Sequence, residues 1–137
     1  MPVTENNIEQ VPIAAFTCLI VDDSEFARIH LMELMIDLLG QEKISFETAS
    51  GGMEAIEIYQ KIKPKLVMMD IVMPGIDGVE TVQKICDLDP TACIIMVSSL
   101  SYKEKVKQAI MAGAKHFVVK PIKAELLKRV IVDVLTK

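Results

Sequence analysis

The sequence predicts an α/β domain: an open, doubly wound sheet of five parallel strands with helices on both faces. Short apolar runs, often β-branched and without period-2 alternation, recur five times, which is how strands buried on both faces read. Longer stretches with 3.6-residue periodicity separate them, and strand–helix pairs in succession require parallel strands joined by right-handed crossovers. The chain has 137 residues, too few for an eight-fold barrel, which takes about 250.

The first strand spans 17–21 and ends at Asp22-Asp23. Ser24 then offers an N-cap oxygen to a helix over 25–39, which Gly40 stops by accepting a positive φ. A strand at 44–48 leads into a helix over 52–62, closed by Pro64. The third strand, 66–69, ends at Asp70, and after the Pro74-Gly75 turn a helix runs over 78–88 until Pro90 forbids its continuation. The fourth strand, 93–97, ends at Ser98-Ser99 ahead of a helix over 102–112 that Gly113 terminates. The last strand, 116–119, ends at Lys120-Pro121 and precedes a helix over 122–135. Residues 1–15 read as a polar leader, either flexible or an extra strand or dimer contact, and 16–137 as the domain.

Composition narrows the function classes. With 51% hydrophobic and 25% charged residues, the chain is neither disordered, collagen-like nor a disulfide scaffold. A net charge of −4, six aromatic residues and no Trp leave no footprint for nucleic acid. Cys18, Cys86 and Cys93 show no CxxC spacing and read as reduced thiols of a cytosolic protein. The leader carries Glu5 and Glu9 and lacks a secretory pattern, and no apolar run is long enough for a membrane, so a cytoplasmic protein is expected.

In doubly wound sheets, ligands bind beyond the carboxyl ends of the strands, near the point where strand order reverses. Those ends carry Asp22, Asp23, Asp70, Ser98 and Lys120. Taken singly, an Asp pair is a turn, a Lys-Pro a solvated loop and a Ser pair a cap; their conjunction at one edge is the signal. Clustered carboxylates repel, so at least one pKa should rise, and oxygen-only ligands favour Mg2+ over zinc. Metal, ammonium and hydroxyl beside a carboxylate suit phosphoryl transfer, with Asp70, on the central strand, as the nucleophile.

The stretches LIVDDSEFAR, MMDIVMPGIDG, IIMVSSL and AGAKHFVVKPI resemble the four signature stretches of bacterial response-regulator receiver domains. The resemblance covers residues 16–136 in order, and the chain end at the last helix makes it most similar to single-domain, CheY-type chemotaxis regulators. It implies that Asp70 accepts a phosphoryl group from a histidine kinase phospho-His. It further implies that Asp23, Asp70 and the Val72 carbonyl ligate Mg2+ directly, that Asp22 does so largely through water, that Lys120 pairs with the phosphate and that Ser98 hydrogen-bonds to it. Phe117 matches the aromatic switch position, expected to rotate inward after Ser98 shifts. Two positions depart from the best-known version. Val72 and Leu100 are apolar where polar groups flank the path of attacking water, so a long-lived phosphate and a dedicated phosphatase are expected.

Such a protein is a switch rather than an enzyme, although it assists its own phosphorylation and hydrolysis. Without an attached output domain it would signal by noncovalent partner binding, with a flagellar motor switch component as the implied target and a monomer as the expected state, a dimer being the alternative. A phosphorelay intermediate or phosphate sink is the alternative role that the same sequence would suit. From another class, a small Mg2+-dependent phosphohydrolase would want a second acid where Val72 stands.

Net charge hides an asymmetry: residues 102–137 sum to +6 and the remainder to −10. Lys103 and Lys107 share a helix face, and with Phe117 and Lys123 they form the candidate partner face, suited to an acidic segment. The first helix carries a stripe wide enough to suggest deep burial, and His30 and His116 have no partner at metal or triad spacing.

Overall fold

The computed structural model describes residues 13–136. Its elements are β1 (Phe16–Val21), α1 (Glu25–Leu39), β2 (Ile44–Ala49), α2 (Gly52–Ile62), β3 (Leu66–Asp70), α3 (Gly78–Leu88) and β4 (Ile94–Ser98), followed by a 3₁₀ turn (Leu100–Tyr102), α4 (Lys103–Ala112), β5 (His116–Val119) and α5 (Ala124–Leu135). The strands form one parallel sheet in the order β2-β1-β3-β4-β5, which places β3 at the centre and the reversal of strand order between β1 and β3.

Alternation along the inner strands builds two cores, because successive side chains leave opposite faces of a sheet. Cys18, Ile20, Leu66, Met68, Ile95 and Val97 pack against α1 and α5 through Leu31, Met35, Leu127 and Ile131. Leu19, Val21, Val67, Met69, Ile94 and Met96 pack on the other face against Ala55, Tyr59, Val82, Ile85, Val106 and Ala109. Each fully buried aliphatic side chain contributes about 1.5–3 kcal/mol, so this two-sided burial fixes the strand register from which the site projects.

The caps follow the expected chemistry. The Ser24 hydroxyl accepts from the Ala27 N–H, and Gly40 and Gly113 take φ values of 93° and 130°. Burial on both faces holds for β1, β3 and β4, whereas β2 and β5 are edge strands with partly exposed side chains. β1, β2 and β3 each run one residue beyond the expected range, at Phe16, Ala49 and Asp70, and later boundaries shift by one or two. β4 starts at Ile94 and reaches Ser98, Tyr102 belongs to the 3₁₀ turn closed by its N–H on the Ser99 carbonyl, and the last helix starts at Ala124 because Lys123 is extended. Ile13 packs in the α1/α5 core, and its carbonyl accepts from Lys43 Nζ at 3.1 Å. The leader expectation for residues 1–12 lies outside the described residues. α1 buries Leu31, Met35 and Leu39, yet leaves Ile29 and Phe26 exposed, so its stripe is wider than its buried face.

Candidate functional site

The same alternation that builds the cores aims the acids. Asp22 continues the Cys18–Ile20 row and Asp70 the Leu66–Met68 row, so both carboxylates emerge on the α1/α5 side where the strands end. Asp22 is held at the turn by three bonds: its N–H donates to the Ala49 carbonyl, its Oδ1 accepts from the Ser24 N–H at 2.9 Å, and its carbonyl accepts from Arg28 Nη1 at 2.7 Å. Asp70 Oδ1 accepts from the Ile71 N–H at 2.9 Å. Lys120, from the end of β5, places Nζ 3.5 Å from Asp22 Oδ2 and 3.5 Å from Asp70 Oδ1. One carboxylate oxygen each of Asp22, Asp23 and Asp70 lies within 4.8 Å of the others, and among the described residues this is the group of potential metal ligands.

Burial of Asp70, added to the field of Asp22, pushes its carboxyl up to about 6 against the opposing pull of Lys120 and the Ile71 N–H. Asp22 and Asp70 are buried while Asp23 is exposed. The trio therefore combines an oxygen-only donor set, an excess of negative charge and an open side, which fits a hard divalent cation such as Mg2+. No His or Cys enters it, and the three thiols stand elsewhere, unbridged, with burial pushing each of them up.

The loop after Asp70 is tightly constrained. It turns back so that the Gly78 N–H donates to the Ile71 carbonyl at 2.8 Å, and a Cβ on Gly78 would collide with the Asp70 carbonyl oxygen. Val72, two residues after Asp70, is 48% exposed, and Leu100, two residues after Ser98, is 73% exposed.

Ser98 stands apart from this cluster. It falls on the Ile94–Met96 row, facing the α4 side, and its hydroxyl donates to the Ser99 carbonyl at 3.0 Å. Phe117 pairs with Met96 and Val119 with Ser98, so Ser98 and Phe117 share a sheet face. Phe117 is exposed and, with Ser98, Leu100, Lys103, Lys107 and Met111, lines a predominantly apolar cavity of about 470 Å³. Lys123 is exposed at the start of α5 but does not line this cavity. His116 and His30 are spent locally, the former accepting the Phe117 N–H at 2.8 Å and the latter stacked on Phe26.

Sequence reasoning missed two neighbours of the site. Arg28 braces the Asp22 carbonyl, and Phe26, 80% exposed, borders a recess of about 250 Å³ lined also by His30, Asp70, Lys120 and Pro121. Phe26 had a readable signal, a large apolar residue two places after the helix cap; Arg28 had none, since its partner is a backbone carbonyl.

Residues 18–132 match the response regulator receiver domain family along nearly all of the described chain. The chain belongs to that family. Among relatives of this receiver domain, the chemotaxis protein CheY of Halobacterium salinarum is 43% identical over 118 residues, spanning 86% of this chain and 95% of that protein. The Bacillus subtilis chemotaxis protein CheY is 40% identical over 114 residues, spanning 81% and 90%. Among solved structures, the CheX–CheY–BeF3–Mg2+ complex of Borrelia burgdorferi is similar with a TM-score of 0.81 and 32% identity, covering 90% of this chain and 92% of that one. The protein is thus a receiver domain of two-component systems, a signalling protein to which phosphorylation-dependent control is suited. Among the described residues no helix is long and apolar enough to cross a membrane.

Proposed function

We propose that the receiver domain accepts a phosphoryl group on Asp70 from the phospho-His of a histidine kinase, with Mg2+ held by Asp22, Asp23, Asp70 and the Val72 carbonyl. It then signals through the α4–β5 face to a partner in chemotaxis. The observation that carries this is the placing of Lys120 against Asp70 beside two further carboxylates. When bound, Mg2+ offsets the negative charge of the incoming phosphoryl oxygens.

The chain's own groups do the rest. Asp70 presents the carboxylate oxygen that attacks phosphorus; a P–O bond forms as the P–N bond to the donor imidazolium breaks, and the donor leaves as neutral imidazole. Lys120, already directed at Asp70, then pairs with a phosphoryl oxygen. Ser98 gives up its bond to the Ser99 carbonyl to donate to another, and the space it vacates on the shared face lets Phe117 turn inward. That movement remodels the cavity bordered by Lys103 and Lys107, whose exposed ammonium groups suit an acidic partner segment such as one on a flagellar motor switch component. Val72 and Leu100 offer attacking water no polar guide, so removal of the phosphoryl group falls to a separate phosphatase. The similarity to chemotaxis proteins over nearly their full length supports this output over a phosphate-sink role.

The test is intact mass after incubation with acetyl phosphate and Mg2+. One phosphoryl adduct on the wild type, absent from Asp70→Asn, is expected. Absence of any adduct on the wild type would overturn the assignment.

A further inference from the structure

α4, which borders the proposed partner groove, packs on α3 and β4 through few fully buried side chains. Of its 10 residues only Val106 and Ala109 are buried, no side chain caps its start, and the 3₁₀ turn before it buries no side chain. Beside the packing of Val106 and Ala109 into the core shared with Val82 and Ile85 of α3, a side-chain ion pair of α4 reaches another element among the described residues: Lys105 Nζ lies 2.8 Å from Asp77 Oδ2. The ion pair of Lys107 with Glu104, at 3.6 Å, stays within the helix.

Asp77 is itself firmly placed. Its Oδ1 caps α3 by accepting the Glu80 N–H at 3.0 Å, and its carbonyl accepts both the N–H and the hydroxyl of buried Thr81. It closes the loop that starts at Asp70, and the next residue, Gly78, sits against the Asp70 carbonyl and bonds to Ile71. Although burial opposes it, Lys105 and the first N–H groups of α3 hold the Asp77 carboxyl below its usual range. The segment from Asp70 to Asp77 is therefore a short, closed strap with the phosphoacceptor at one end and a grip on α4 at the other.

We infer that the Lys105–Asp77 pair is a latch: it holds α4 against α3 in the unphosphorylated domain and transmits movement of the Asp70 loop to the partner groove. This rests on the reading of Asp70 as phosphoacceptor and of the α4–β5 cavity as the partner face. A pair this exposed, 47% and 33% at the two side chains, holds weakly, by a factor of about two to five. Weakness is what a switch requires, since a stronger clasp would keep α4 closed after phosphorylation.

Hydrogen–deuterium exchange of the full chain, followed by mass spectrometry, tests the latch. Four proteins are compared: wild type, Lys105→Met, Asp77→Asn, which keeps a capping oxygen, and the double variant. Each is measured unmodified and with Mg2+ and beryllofluoride as a phosphoryl mimic, with β3 peptides as the internal reference for global opening. In the unmodified state each single variant is expected to raise α4 exchange about two- to fivefold, and the double variant no further than either. Beryllofluoride is expected to raise α4 exchange in the wild type and to add little in Lys105→Met. Single variants at wild-type exchange, additive effects in the double variant, or an equal increment from beryllofluoride in wild type and Lys105→Met would each overturn the latch. The acetyl phosphate adduct tests the phosphoacceptor reading separately, because the exchange pattern of the unmodified proteins does not depend on it.

Discussion

The Lys120 ammonium stands 3.5 Å from Oδ1 of Asp70 while lying equally close to Oδ2 of Asp22. One cation divided between two buried carboxylates leaves an uncompensated negative charge, and that imbalance makes the site receptive to a divalent cation.

The imbalance predicts a pH-dependent stability. The Asp70 carboxyl rises from 3.8 to about 6 in the folded protein, so the native state resists ionising it. No penalty exists below the unfolded value; it develops as pH rises between the two and is complete above the folded value. In EDTA, Asp70→Asn should therefore be more stable than wild type at pH 7–8, by about 1–2 kcal/mol after solvent screening, and the gap should vanish below about pH 4. Thermal melts across that range check it, and added Mg2+ should stabilise the wild type more than the variant. A gap that widens on acidification would contradict the sign.

Removing the shared cation should push in the same direction. In Lys120→Met the Asp70 carboxyl, followed by carbon NMR of labelled aspartate without metal, should titrate above the wild-type value of about 6. Its phosphorylation by acetyl phosphate should slow by about 10- to 100-fold, in line with losing one fixed charge from a transferring group. An unchanged midpoint would mean that Lys120 does not act on Asp70.

The proposed shielding by Val72 and Leu100 predicts an effect on phosphate lifetime. Val72→Asn combined with Leu100→Glu places polar groups at two exposed positions, where they can orient water, and should shorten the half-life of the Asp70 phosphate several-fold. Loss of the radiolabelled adduct after removal of donor measures it. Equal half-lives would remove any shielding role from these two side chains.

Gly78→Ala should be among the most damaging single-methyl additions. The new Cβ meets backbone at Asp70 and Ile71 rather than a yielding side chain, so a loss of about 2–3 kcal/mol is expected. Denaturant melts give this number, and acetyl phosphate labelling should fall with it because the Asp70 backbone has to shift. A variant as stable as wild type would show that the loop can relax without moving Asp70.

Much of this protein was legible before folding. Asp22, Asp70, Ser98 and Lys120 could be assigned to one edge because each follows an apolar run, and parallel strands bring all carboxyl ends to the same side. The acid cluster and the upward shift of one carboxyl followed from that placement alone. Arg28 was invisible because it serves a main-chain carbonyl, and the exposure of β2 and β5 was invisible because edge status depends on strand order, not on composition.

The sequence by itself determined the order of strands and helices, most of their ends, and which side chains stand at the carboxyl edge, since these depend on local periodicity, caps and chain direction. Only the tertiary structure decided how those side chains divide. Strand register and parity send Asp22 and Asp70 to the α1/α5 side and Ser98 with Phe117 to the α4 side. Packing of α4 on α3 then brings Lys105 to Asp77, 28 residues away. Those relationships turn on angstrom-scale distances across the sheet and between helices, set by burial of two cores at once, and no local pattern in the chain encodes them.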